Sequence, residues 1–183
     1  DKLTRKWRID VGDGHSCPVA AGGKVFVFAR QGDNEVLRAL EPATGKVQWT
    51  STNAAPYQMN PAATKHRKGP KSTPAVAGGR VFTLGISGIL SAHDAATGKV
   101  AWRKEFSKQF SETSPLYGAA MSPVVEGGMV IAHLGTDSSG ALMAFDAATG
   151  AVRWTWKEDG PGYASPVIAT LGGKRQVITE TAS

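Results

Sequence analysis

The chain has 183 residues, with 21 Lys plus Arg against 15 Asp plus Glu, for a formal charge of +6. Hydrophobic residues are 41% and charged residues 20% of it, a globular balance that excludes a disordered chain; no apolar run reaches the ~20 residues of a membrane helix. Glycine, at 22 residues, exceeds the usual ~7%, and the single cysteine, Cys17, excludes an intrachain disulfide and a four-thiolate metal site.

The N-terminal Asp1-Lys2-Leu3-Thr4-Arg5-Lys6 has no apolar core, so no signal peptide is expected in this chain. Lys6-Trp7-Arg8 reads as the last strand of a preceding unit, over 1–14. His15 then precedes a first strand opened by Cys17-Pro18-Val19. A Gly22-Gly23 turn leads into the alternating Val25-Phe26-Val27-Phe28, and Leu37-Arg38-Ala39-Leu40 forms a third strand. The turn Glu41-Pro42-Ala43-Thr44-Gly45 delivers a fourth strand carrying Trp49. This succession returns with Thr73-Pro74, Gly78-Gly79, Asp94 to Gly98 and Trp102, and again with Ser122-Pro123, Gly127-Gly128, Asp146 to Gly150 and Trp154. It opens once more at Ser165-Pro166 and Gly172-Gly173. Three complete units therefore span 15–53, 70–108 and 119–157, with the first strands of a further one over 164–183.

Each unit reads as a four-stranded antiparallel blade. Gly-Gly suits a hairpin because positive φ costs glycine little, and in D-x-x-T-G the Asp and Thr side chains can bond the turn's amides. No stretch holds a helical period over ten residues. Four short strands per ~40–50 residues, repeated, indicate an all-β propeller.

The frame A-x-[DE]-x-x-x-G-x-x-x-W resembles the tryptophan-docking motif of the PQQ-like propeller repeat family, which includes quinoprotein dehydrogenases and an outer-membrane assembly lipoprotein. It is met by Ala92, Asp94, Gly98 and Trp102, by Ala144, Asp146, Gly150 and Trp154, and with Glu41 for Asp by Ala39, Gly45 and Trp49. The resemblance implies that each Trp packs on the turn of its neighbour, that complete rings hold seven or eight blades, and that the location is periplasmic or secreted. The chain is then about half a ring. A two-fold homodimer, in which the C-terminal strands of one copy pair with the Trp7 strand of the other, would give an eight-bladed ring through composite blades; a closed four-bladed monomer is the alternative.

In a propeller, the connections from strand four to the next strand one, and from strand two to strand three, share one face. Long irregular segments are expected there at Asn53–Lys71, Ser107–Ala120, Lys157–Ala164, Arg30–Val36 and Gly135–Ala141. His15, His66 and His133 fall toward this face from three blades, and converging histidines could hold a divalent metal such as zinc. His93 takes the place of Leu40 and Phe145 in sister blades and reads as packed near the short turns. Lys65-His66-Arg67-Lys68-Gly69-Pro70-Lys71 is a basic run, and Tyr117 and Tyr163 stand shortly before strands one. Together they suggest a rim for a small anionic molecule. Asp33, Glu35 and Asp137 add acceptors that could act as ligands or general bases. Cys17 reads as a small packed residue.

Three functions remain open. One is a binding or scaffold propeller that presents this face to a small anionic ligand or a partner. Another is a zinc-type hydrolase of esters or phosphoesters, with the three histidines on the metal and Lys68, Lys71, Tyr117 or Tyr163 stabilising negative charge. The last is a PQQ-dependent oxidoreductase, disfavoured because that class has adjacent cysteines over the quinone. A charge of +6 without aromatic–basic interleaving gives no nucleic-acid signature.

Overall fold

The structure, a computed structural model, describes residues 2–106, 108 and 115–182. Much of the expected loop Ser107–Ala120, and the outermost residues of 1–14 and 164–183, lie outside the described residues. The strands are β1 (Val19–Ala21), β2 (Lys24–Gln31), β3 (Asn34–Leu40), β4 (Val47–Ala54), β5 (Ala75–Ala77), β6 (Arg80–Leu84), β7 (Ile89–Asp94), β8 (Val100–Glu105), β9 (Val124–Glu126), β10 (Met129–Thr136), β11 (Ser139–Asp146), β12 (Val152–Trp156), β13 (Val167–Leu171) and β14 (Lys174–Ile178). They form three four-stranded antiparallel sheets in sequence order and a two-stranded sheet, β13–β14. This is a partial β-propeller, all-β as the repeat predicts.

The core lies between blades. Phe26, Phe28, Leu37 and Val81 fill the first seam, and Phe82, Leu84, Leu90, Val130, Leu134 and Phe145 the second. Ile131 and Leu142, with Trp154, Ile168 and Val177, fill the third. The repeated alanine of the motif now has a reason. Ala39, Ala92 and Ala144 stand opposite Trp49, Trp102 and Trp154 in the ladder, and all three alanines are fully buried. A small side chain there leaves room for the indole. In the first two blades the indole also lies against a phenylalanine, with centroids 5.9 Å apart for Phe26–Trp49 and 6.0 Å for Phe82–Trp102.

Two hydrogen-bond series join successive blades. Near the outer edge the indoles donate to the following turn: Trp7 Nε1 to Pro42 O at 2.8 Å, Trp49 to Ala95 O at 3.2 Å, and Trp102 to Ala147 O at 3.1 Å. Along the inner strands the Cys17 amide donates to Thr73 Oγ1 at 3.2 Å, Thr73 to Ser122 Oγ at 2.9 Å, and Ser122 to Ser165 Oγ at 2.8 Å. The hydroxyl before each proline thus stitches its blade to the one before. The turns match expectation as well: Asp146 Oδ1 accepts from the Ala148 and Thr149 amides and from Thr149 Oγ1. Its carboxyl is held down to about 2, chiefly by Arg153 and then by Thr149.

Some expectations change. Residues 2–12 carry no strand assignment, and Trp7 reaches the first blade through its indole, which donates to Pro42 O. Arg30–Val36 and Gly135–Ala141 are mostly strand, because β2–β3 and β10–β11 close in tight turns centred on Gly32-Asp33 and Asp137-Ser138. Glu35 accordingly lies within β3 and is buried. Cys17 is exposed rather than packed, because it lies ahead of β1 and outside the sheet.

Candidate functional site at the channel mouth

The residue three places ahead of each strand-one proline is His15, Lys71, Ala120 or Tyr163 in turn. The propeller repeat brings these four equivalent positions around one pocket of about 460 Å³, joined by His66 and Tyr117 from the preceding loops. That volume lies within the usual range of small-molecule sites.

The walls are ring-rich. His66 and Tyr117 meet edge to face with centroids 4.9 Å apart at 74°, and Tyr117 meets Tyr163 at 5.7 Å and 63°. Tyr163 donates its hydroxyl to Asp137 Oδ1 at 3.2 Å and accepts from the Tyr117 amide at 3.4 Å. Burial first, and Asp137 beside it, push the Tyr163 phenol up. Tyr163 has a φ of 62°, a left-handed backbone that a bulky side chain rarely adopts and that surrounding packing must hold. His15 Nε2 lies 3.1 Å from His66 O, which ties the rim of the first blade to the following loop.

That loop is a built element. Asn60 caps a short 3-10 helix at Pro61–His66 by accepting from the Ala62 amide at 2.9 Å. Arg30, 4% exposed, reaches under it, donating to Lys68 O at 2.7 Å, Ala55 O at 2.7 Å and Gly32 O at 3.3 Å. The His15 amide donates to Pro70 O at 2.8 Å, and Arg67 pairs with Asp13. The loop therefore rests on the first blade while delivering His66 and Lys71 to the pocket.

Lys71 is the distinctive member. Its Nζ is enclosed and has no hydrogen-bond acceptor among the described residues, and burial lowers its pKa. Lys68 does not line this pocket; its side chain is exposed.

His133 stands apart. It is 1% exposed within β10, in the seam against the fourth unit, with Nε2 3.0 Å from Asp159 O and Nδ1 3.5 Å from Thr179 Oγ1. The expected triad of His15, His66 and His133 is thus not assembled at the channel mouth. Among the described residues no group of three or more His, Cys, Asp or Glu side chains could hold a metal ion. Glu35 also has a different task from the one expected. Its Oε1 accepts from the buried Ile86 amide at 2.9 Å, and burial pushes its carboxyl up against the opposing pull of that bond and Arg30. His93 is buried as expected, between Ser51 Oγ at 3.2 Å and Thr83 Oγ1 at 3.4 Å, and burial lowers it to about 4. The site residues that sequence reasoning missed are Ala120, Arg30 and the Asn60 cap; the place three residues before each proline was the signal for Ala120.

Comparison with known proteins agrees with this architecture. The family described as outer membrane protein assembly factor BamB matches residues 4–67 and 32–183. The chain belongs to this family. It is 28% identical over 178 residues to the outer membrane protein assembly factor BamB of Yersinia pestis, covering 91% of this chain and 41% of that protein. It is 27% identical over 161 residues to the quinohemoprotein alcohol dehydrogenase ADH-IIG of Pseudomonas putida, covering 83% of this chain and 21% of the other. Among solved structures, a europium-containing methanol dehydrogenase superposes with a TM-score of 0.58 at 20% identity, over 82% of this chain and 26% of that one. The chain thus spans about two fifths of the BamB relative and a fifth of the dehydrogenase. Cys17, the only cysteine of this sequence, stands outside the residues lining the pocket.

Proposed function

We propose that this chain is part of a scaffold propeller that acts in outer membrane protein assembly by binding through its long-loop face. The observation that carries the reading is the convergence on one pocket of four equivalent positions, each just ahead of an inner strand, beside a loop bearing Lys65, Arg67 and Lys68. Family membership supports a setting at the outer membrane and a periplasmic or secreted location. The same face offers a small anionic molecule both positive charge and an unpartnered amine. Nothing in the site supports ester or phosphoester hydrolysis, since the histidine triad that such chemistry needs is divided between a pocket and a seam.

The test is the binding of a urea-unfolded outer-membrane β-barrel polypeptide after dilution. Lys65→Glu with Lys68→Glu should weaken it at least tenfold, whereas Lys46→Glu with Lys99→Glu, on the opposite turns, should change it less than twofold. Equal effects from the two pairs would refute the choice of face.

The open side of the fourth unit supports self-association as part of this reading. Val167, Leu171 and Ile178 are exposed there by 54%, 52% and 40%. A second copy could lay its Trp7 segment beside β14. Light scattering should show a mass rising with concentration from 19.2 kDa toward twice that value. A constant monomer mass would exclude it.

A further inference from the structure

We infer that Glu35 is a positioning residue of the long-loop face, one that fixes the loops 55–71 and 115–120 relative to each other. This deepens the proposed binding role of that face and rests on it. The sequence sets the residue apart. Four places ahead of the repeated alanine stand Glu35, Gly88 and Gly140 in the three blades, so the blade itself asks for no side chain there. Glu35 is nevertheless buried, opposite Arg30 in the β2–β3 ladder.

Toward the first loop Glu35 works through Arg30. Arg30 Nη2 lies 4.0 Å from Glu35 Oε1, and the guanidinium donates to Ala55 O and Lys68 O, each at 2.7 Å. Toward the second loop Glu35 works through the β6–β7 turn of the next blade. Its Oε1 accepts from the Ile86 amide at 2.9 Å, and Ile86 O accepts from the Ala119 amide at 2.9 Å. Two glycines make room for this relay. A Cβ on Gly85 would collide with Glu35 Oε2, and one on Gly118 would stand 2.6 Å from Ile86 Cγ1 and 2.8 Å from Tyr57 Oη. Tyr57 belongs to the first loop, so the two loops meet over Ile86. Together they carry His66, Lys71, Tyr117 and Ala120 to the pocket. Removing the Glu35 oxygen would leave the buried Ile86 amide without its acceptor, at the point on which both loops rest.

The experiment is hydrogen–deuterium exchange of Glu35→Ala, Glu35→Gln and Gly98→Ala beside the unaltered chain. Glu35→Ala should speed exchange at least tenfold in both 56–68 and 115–122. Glu35→Gln keeps an oxygen for the Ile86 amide and should restore both segments to within threefold of the unaltered chain. Gly98→Ala strains the opposite end of the same seam and should change either segment less than twofold. An effect of Glu35→Ala confined to one loop, an equal effect of Gly98→Ala, or no restoration by Glu35→Gln would overturn the inference.

Binding of the unfolded polypeptide is read separately, and Glu35→Ala should weaken it at least tenfold. Loops loosened in the expected pattern with unaltered binding would support the coupling and refute the long-loop face as the binding surface. A further measurement needs no variant. In native-state exchange of the unaltered chain at low urea, the slowest amides of 56–68 and 115–122 should share one urea slope and agree in protection within threefold. Separate slopes would contradict the inference.

Discussion

The indole of Trp49 lies so close to Gly98 that a Cβ on the glycine would stand 2.5 Å from ring atom Cε3. Gly45 beneath Trp7 and Gly150 beneath Trp102 repeat the arrangement, at 2.6 and 2.8 Å. The glycine of the motif is therefore fixed by two demands, a left-handed backbone and contact with a neighbouring blade. Gly79 meets only the first demand: its φ is 72°, and a Cβ there meets nothing within 4 Å. Gly79→Ala should cost about 1 kcal/mol, the ordinary strain of a left-handed residue. Gly98→Ala, with φ 77° and the indole in the way, should cost about 3 kcal/mol as overpacking is added. Urea unfolding of the two variants checks the difference, and equal costs would mean that the docked tryptophans do not hold the blades together.

Glu35 should respond differently to loss of its charge and loss of its oxygen. Burial already pushes this carboxyl toward its neutral form, so Glu35→Gln keeps an acceptor for Ile86 N and should cost about 1 kcal/mol. Glu35→Ala strands the Ile86 amide and removes the carboxylate 4.0 Å from the Arg30 guanidinium, and should cost about 3 kcal/mol. Chemical denaturation separates the two. Similar losses would show that charge, not the hydrogen bond, is the stabilising feature.

His93 makes stability depend on pH. Burial holds its folded-state pKa at about 4, below the ordinary 6.5, so the fold favours the neutral ring. The contribution is fully present above pH 6.5 and is lost as pH falls toward 4, where the unfolded chain binds a proton that the folded chain refuses. The loss should reach about 3 kcal/mol by pH 4. His93→Leu, which places at this position the residue of the first blade, should remove that slope. Unfolding curves at pH 7, 5.5 and 4 provide the measurement; an unchanged slope would mean that other groups carry it.

Arg30 holds both feet of the pocket loop, at Ala55 and Lys68. Arg30→Gln should speed amide exchange across 56–68 at least tenfold and weaken polypeptide binding, since His66 and Lys71 then lose their fixed support. Unchanged exchange would show that the 3-10 helix and its Asn60 cap hold the loop unaided.

How much of this was legible in the sequence depends on how local the cause was. The blades were, because Gly-Gly, D-x-x-T-G and Trp each act within a few residues or on the adjacent unit. Part of the site was legible too: His15, His66, Lys71, Tyr117 and Tyr163 share the pocket because position in the repeat fixes position around the channel. His133 escaped because a residue near the end of strand two can face either the channel or a seam, and the side chosen depends on the register of β10 with β11 and on Asp159, 26 residues away. Glu35 escaped because a two-residue turn at Gly32-Asp33, rather than a loop, carried it into the sheet. The inner-strand series was hidden in plain view: Thr73, Ser122 and Ser165 looked interchangeable with Cys17, yet the hydroxyls accept from the preceding blade while Cys17 stands at the near end of the series and only donates.

The most direct test of the scaffold reading is hydrogen–deuterium exchange of the chain with and without a saturating unfolded outer-membrane β-barrel polypeptide. Protection confined to 55–71, 115–122 and 157–164, with the turns at 41–45, 94–98 and 146–150 unchanged, is the predicted result. Protection of those turns instead, or none anywhere at saturation, would contradict it.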